Sequence, residues 1–234
     1  MHRHDLVYLQ PEEAFTLLNA SVPLSVIQAI DHMIEAMQPF TVCRQSTAHV
    51  SKVATSHIEN HCKYRLALEL SAPPQVTTLP LALKTVIPHL PKNLQEQTRY
   101  FVRQCRDLKA DVYVYGSFAN QHFTNLPFVT PTSDLDILIT VHEMDRLADI
   151  LMAIEIFKQF ALSVANLRVD GEVRLHGYED VSFNELIHAL VSDIPTVVIK
   201  TLHEVKLQTI DVLLGWNTDE CERFIDARKR RLIF

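Results

Sequence analysis

Apolar residues between Ser25 and Met37 fall at Val26, Ile27, Ile30, Met33, Ile34 and Met37, the spacing of one helical face, and Pro39 closes the run. Lys63 to Leu70 follows another rule: Tyr64, Leu66, Leu68 and Leu70 alternate with polar neighbours, which predicts a strand with one buried side. Phe40 to Gln45 and Lys52 to Thr55 read as strands too. Leu6 to Leu9 is a short apolar run stopped by Pro11, and the stretch from Glu12 to Leu18 suits a short helix with acid in its first turn. Five prolines between Ser71 and Pro91 resist regular structure and mark a connector. We therefore expect two domains, a small α+β unit over 1–91 and a second domain over 92–234.

In the second domain, Asn93 to Leu108 predicts a helix. Glu143 to Leu162 predicts another, with Met144, Leu147, Ile150, Leu151, Ile154 and Phe157 on one stripe that would pack on a sheet. Val112 to Tyr115 and Leu135 to Ile139 are β-rich, as are Ala165 to Leu175, Thr196 to Lys200 and Glu204 to Gln208. Ser182 with Glu185 three residues on has the capping-box spacing, so a short helix is expected from Ser182 to Leu190. The fold class that follows is α+β, with a mixed sheet flanked by helices in the second domain.

Chemistry concentrates between Asp111 and Thr140, DVYVYGSFANQHFTNLPFVTPTSDLDILIT. The first strand delivers Gly116-Ser117, and the second carries Asp134 and Asp136 at its start. Strand alternation turns those two carboxylates one way and Leu135 and Ile137 the other. Carboxylates about 7 Å apart on one strand face can share divalent ions, and Mg²⁺ is usually held by one or two carboxylates plus substrate phosphates. Gly116 lets backbone approach a ligand, and Ser117 offers a hydroxyl and an N–H to phosphate if a helix starts there. The bland alternative is a strand leaving a turn, since Pro131 to Asp134 are turn and cap residues. The Gly-Ser and the apolar strand around the two acids favour the catalytic reading: a phosphoryl-group transferase dependent on Mg²⁺ or Mn²⁺.

These residues resemble the nucleotidyltransferase superfamily of the DNA polymerase β type, in which Gly-Ser is followed by Asp-x-Asp on the next strand. The stretch YGSFANQHFTNLPFVTPTSDLDIL is more similar still to one family within it, the malonate decarboxylase holo-acyl-carrier-protein synthases, or phosphoribosyl-dephospho-CoA transferases. HRHDLVYL, PFTVCRQ and RVDGEV resemble that family's other blocks, while Asn120 stands where the family usually has an aromatic side chain. The resemblance implies a polymerase β-type catalytic domain. It also implies transfer of the phosphoribosyl-dephospho-CoA group from 2′-(5″-triphosphoribosyl)-3′-dephospho-CoA to a serine of the malonate decarboxylase acyl carrier protein, with release of pyrophosphate. A third carboxylate on a strand beside the first two is implied as well. Asp170 is our choice for it, as a third metal ligand and a group that helps activate the nucleophile, with Glu172 in reserve and a hairpin turn at Asp170-Gly171 as the competing reading. Lys200 and Lys206 are equivalent candidates for phosphate contacts. Two alternatives stay open: another nucleotidyltransferase of this fold acting on a small molecule, an RNA or a different protein, and a non-catalytic nucleotide-binding module.

Composition narrows the partners. At 234 residues with 47% hydrophobic and 21% charged, the chain reads as an ordinary globular protein. A net charge of −6 argues against a nucleic-acid binder. No apolar run is long enough to span a bilayer and the N-terminus lacks a signal-peptide core, so a cytoplasmic protein is expected. Cys43, Cys62, Cys105 and Cys221 lack C-x-x-C spacing and fit reduced thiols. His57, His61 and Cys62 are read as a surface loop rather than a zinc site. Arg228, Lys229, Arg230 and Arg231 form a basic tail that is either a helix-dipole device or a dock for an acidic carrier protein.

Overall fold

In a computed structural model, residues 1–19, 21–45, 51–192, 195–216, 224–226 and 229 are described. Arg228, Arg230 and Arg231 of the basic tail, and Cys221, lie outside the described residues. Two compact units emerge. The first comprises 1–81, 115–130 and 201–204; the second comprises 82–114, 131–200 and 205–234.

The first unit is built on a six-stranded sheet. In chain order it uses β1 (Leu6–Tyr8), β2 (Phe15–Leu17), β3 (Phe40–Val42), β4 (Ser51–Glu59), β5 (Cys62–Leu70) and β6 (Val76–Thr78), with spatial order β2-β5-β4-β3-β1-β6. Helix α1 (Leu24–Glu35) buries Val26, Ile30, Met33 and Ile34 of the predicted stripe in a core with Phe40, Val53, Leu66 and Leu68, whereas Ile27 is exposed and Met37 lies beyond the helix end, also exposed. The β4–β5 hairpin turns at Asn60-His61, both at positive φ (49° and 65°), the twist that matches a two-residue hairpin. The His57, His61, Cys62 cluster is therefore a hairpin tip. The helix expected over 12–18 is instead β2, which pairs with β5 through Phe15↔Leu70 and Leu17↔Leu68; tertiary pairing outweighs the weak helical signal of so short a run.

The supposed connector carries structure. After β6 come β7 (Leu81–Ala82), helix α2 (Leu83–Val86) and a 3-10 turn at Ile87–His89. Leu83, Val86, Ile87 and Leu90 are buried, Pro88 sits in the first turn of the 3-10 segment and Pro91 caps the next helix. Prolines are tolerated at such helix starts, where their missing N–H is not needed. The expected division at 91/92 is linear, whereas the compact units divide first at Leu81 and exchange segments later in the chain.

The second unit holds a mixed sheet of order β13-β12-β11-β10-β9-β8-β7, formed with β8 (Ala110–Val114), β9 (Leu135–Val141), β10 (Val169–Leu175), β11 (Glu179–Ser182), β12 (Thr196–Lys200) and β13 (Val205–Thr209). β9 and β10 run parallel; β8–β9, β10–β11, β11–β12 and β12–β13 are antiparallel. This is the α+β class expected. Cross-strand partners share a face, so Val112, Ile139, Val173, Val181 and Ile199 form one apolar row. That face can bury the stripes of α3 (Lys92–Asp107), α5 (Leu147–Ala165) and α6 (Phe183–Val191), whose Phe101 and Phe157 stack at 4.4 Å between α3 and α5. Ser182 caps α6 by accepting the Glu185 N–H at 3.4 Å, but the Glu185 carboxylate accepts the Val198 N–H of β12 instead of closing the capping box. Helix α7 (Ile210–Leu214) ends at Gly215 in the left-handed region.

Candidate active site

The acidic side chains enter the second unit on adjacent strands. Asp134 precedes β9 and Asp136 is its second residue; Leu135 and Ile137 are fully buried, as alternation requires. β10 lies beside β9 with Asp170 opposite Asp136 and Glu172 opposite Leu138. The Asp170-Gly171 hairpin reading is overturned, because both residues lie inside β10. Gly171 has φ +146°, and a Cβ there would stand 1.8 Å from the Ile137 carbonyl oxygen. Only glycine lets β10 approach β9 this closely, which is what sets Asp170 level with Asp136.

Register and burial separate the reserve candidate from the first. Asp170 is exposed, while Glu172 is buried and accepts an ion pair from Lys200 Nζ at 2.8 Å. Register also separates the two lysines. Lys200 pairs with Asp180, which pairs with Arg174, on the face of Asp136 and Asp170; Lys206 pairs with Ile199 on the apolar face and holds Glu179 at 3.2 Å. Lys206 is thus not brought to the carboxylate face, and the Lys200 ammonium faces a buried carboxylate.

Side chains outside the predicted site stand beside Asp134 and Asp170. Arg168 grips Asp134 from two nitrogens, Nε to Oδ1 at 2.8 Å and Nη2 to Oδ2 at 3.2 Å. Asn184, on the first turn of α6, donates to Asp170 Oδ1 at 2.9 Å, and its own amide oxygen accepts from Lys158 of α5. Asp134, Lys158, Arg168, Asp170 and Asn184 line one cavity of about 340 Å³. No local pattern singles out Lys158 or Asn184, since each is one polar residue among several on its helix and only tertiary packing joins them. The oxygens of Asp134, Asp136 and Asp170 do not all lie within 4.8 Å of one another; Asp134 is held by Arg168 and Asp170 by Asn184. The donors nevertheless suit a hard divalent cation. They are carboxylate oxygens, the ligand type such a cation takes, and exposed ion pairs of the Arg168–Asp134 kind are typically worth only about 0.2–1 kcal/mol.

Gly116 and Ser117 belong to the first unit. Gly116 opens α4 (Gly116–Thr124) at φ +67°, so a helix does start at the Gly-Ser pair. Ser117 Oγ accepts from Lys63 Nζ at 3.3 Å, and Lys63 also lies 5.4 Å from the Phe128 ring centroid. A hydroxyl, an ammonium and a helix N-terminus together favour an anion. Lys63 is a further basic residue, one that the sequence marks only as part of strand β5.

An α+β protein with acidic residues in register on neighbouring strands of a mixed sheet is the class that fold and site define. Residues 81–210 match the family model described as phosphoribosyl-dephospho-CoA transferase MdcG C-terminal domain, and the chain belongs to that family. Among curated proteins it is similar to the phosphoribosyl-dephospho-CoA transferase of Xanthomonas axonopodis pv. citri, 33% identical over 124 residues, which are 53% of this chain and 56% of that one. It is also similar to the protein of the same name from Bradyrhizobium diazoefficiens, 28% identical over 226 residues, 86% of this chain and 91% of that one. The chain thus spans little more than half the length of the Xanthomonas relative. No solved structure matches it. Among the described residues, no helix is long and apolar enough to cross a membrane.

Proposed function

We propose that the chain is a polymerase β-type transferase. It moves the phosphoribosyl-dephospho-CoA group from 2′-(5″-triphosphoribosyl)-3′-dephospho-CoA to a serine of the malonate decarboxylase acyl carrier protein. The observation that carries this is the register of Asp170 on Asp136, with Asp134 beside them, in a chain whose relatives bear the transferase name. The serine oxygen forms a bond to the α-phosphorus of the donor, the bond from that phosphorus to the bridging oxygen breaks, and pyrophosphate leaves. Asp134 and Asp136 would hold Mg²⁺ or Mn²⁺, which when bound supplies positive charge for the acceptor hydroxyl and the leaving pyrophosphate. Asp170, oriented by Asn184, accepts the hydroxyl proton. Ser117 and Lys63 bind phosphate oxygens, and the gain is electrostatic and positional. Lys200 orders Glu172 beside Asp170 rather than gripping phosphate directly.

The test is to incubate the protein with apo-carrier and labelled triphosphoribosyl-dephospho-CoA and follow label transfer. Wild-type protein labels the carrier, Asp134→Asn and Asp136→Asn abolish both labelling and Mn²⁺ binding with the fold kept, and Ser117→Ala mainly weakens donor binding. An unlabelled carrier, or Asp136→Asn with full activity, rejects the proposal.

A further inference from the structure

Arg168 holds both oxygens of Asp134, yet its side chain is 70% exposed against 30% for Asp134. A guanidinium so exposed is held by its partner rather than by packing, and it can leave that partner without opening a core. Its position is shared: it lines the 340 Å³ cavity with Asp170, Lys158 and Asn184, and a second cavity of about 220 Å³ with Pro131, Thr132 and Ser133. Any cation bound at Asp134 competes with Arg168 for the same two oxygens. The planar fork of N–H donors it would then present matches phosphate as well as carboxylate. Charge favours that exchange. Asp134 and Asp170 balance Arg168 and Lys158 in the larger cavity, so a divalent cation leaves it net positive and suited to a multiply charged anion.

We infer that Arg168 is a phosphate-binding residue of this site, coupled to the cation through Asp134: the cation displaces the guanidinium from the carboxylate, and the guanidinium takes up a polyphosphate. This rests on the reading of Asp134 as a cation-holding carboxylate. Coupling of this kind makes the two ligands cooperative, since each removes an obstacle to the other.

Mn²⁺ alone is titrated into wild-type protein, Arg168→Gln and Arg168→Lys, with Asp134→Asn as control. Tripolyphosphate, as its preformed Mn²⁺ complex, is then titrated into the Mn²⁺-saturated proteins. Arg168→Gln should tighten Mn²⁺ binding about two- to fivefold, because the competitor is gone, and weaken the polyphosphate complex about tenfold or more. Arg168→Lys, which keeps the charge and loses the fork, should fall between on the polyphosphate arm. Either arm unchanged in Arg168→Gln overturns the coupling while leaving the Asp134 reading intact. Wild-type protein that binds no Mn²⁺, or Asp134→Asn that binds it as well as wild type, overturns both.

Discussion

Gly171→Ala tests the packing that sets the two acidic strands level. The new Cβ would sit 1.8 Å from the Ile137 carbonyl oxygen, 2.8 Å from its carbon and 2.9 Å from its nitrogen, all backbone atoms without a rotamer to escape through. Real Cβ contacts essentially never fall under 3.0 Å, so β9 and β10 must part locally by about 1.2 Å, the difference 3.0 − 1.8. A ladder bond near 2.9 Å does not survive that stretch. Losing about two ladder bonds at roughly 1 kcal/mol each, plus about 1–3 kcal/mol for alanine at φ +146°, gives about 3–5 kcal/mol. Typical stabilities are only about 5–15 kcal/mol. Urea unfolding followed by circular dichroism should show a fall in midpoint with little change in slope. Gly177→Ala is the control: its φ is +80° and, among the described residues, nothing beyond its own chain neighbours comes within 4 Å of the added Cβ, so it should lose only about 1–2 kcal/mol. A Gly171→Ala loss below about 1 kcal/mol, or equal to that of Gly177→Ala, would refute the close-approach argument.

Two further outcomes follow from buried groups. Asp180→Ala removes a carboxylate that accepts from Arg174 at 2.7 and 3.0 Å where both side chains are buried. It should destabilise by about 3–5 kcal/mol, read as a drop in thermal midpoint; a midpoint within a degree of wild type would contradict it. Burial pushes the Cys105 thiol up to about 12, so it carries almost no reactive thiolate at pH 8. Iodoacetamide followed by mass spectrometry should mark exposed Cys62 in native protein and Cys105 only after denaturation; native labelling of Cys105 would show that α3 opens.

Periodicity carried most of the elements: the stripe of α1, the alternation of β5, the long α5 and the paired strands β12 and β13 are all local patterns that burial then enforces. The placement of Asp134 and Asp136 at the start of a strand was legible for the same reason, because it depends on a few neighbouring residues. What sequence could not assign depended on partners distant along the chain. Residues 15–17 are a strand because β5 offers its edge, and the proline-rich stretch folds because Leu83, Val86 and Leu90 are buried. Register across β9 and β10 distinguished Asp170 from Glu172, and register across β12 and β13 distinguished Lys200 from Lys206. The Arg168 grip on Asp134 and the Asn184–Lys158 support of Asp170 join separate elements of the second unit. Backbone patterns have periods of two or 3.6 residues and can be read along a line; an ion pair has no period, and only the folded chain decides who stands beside whom.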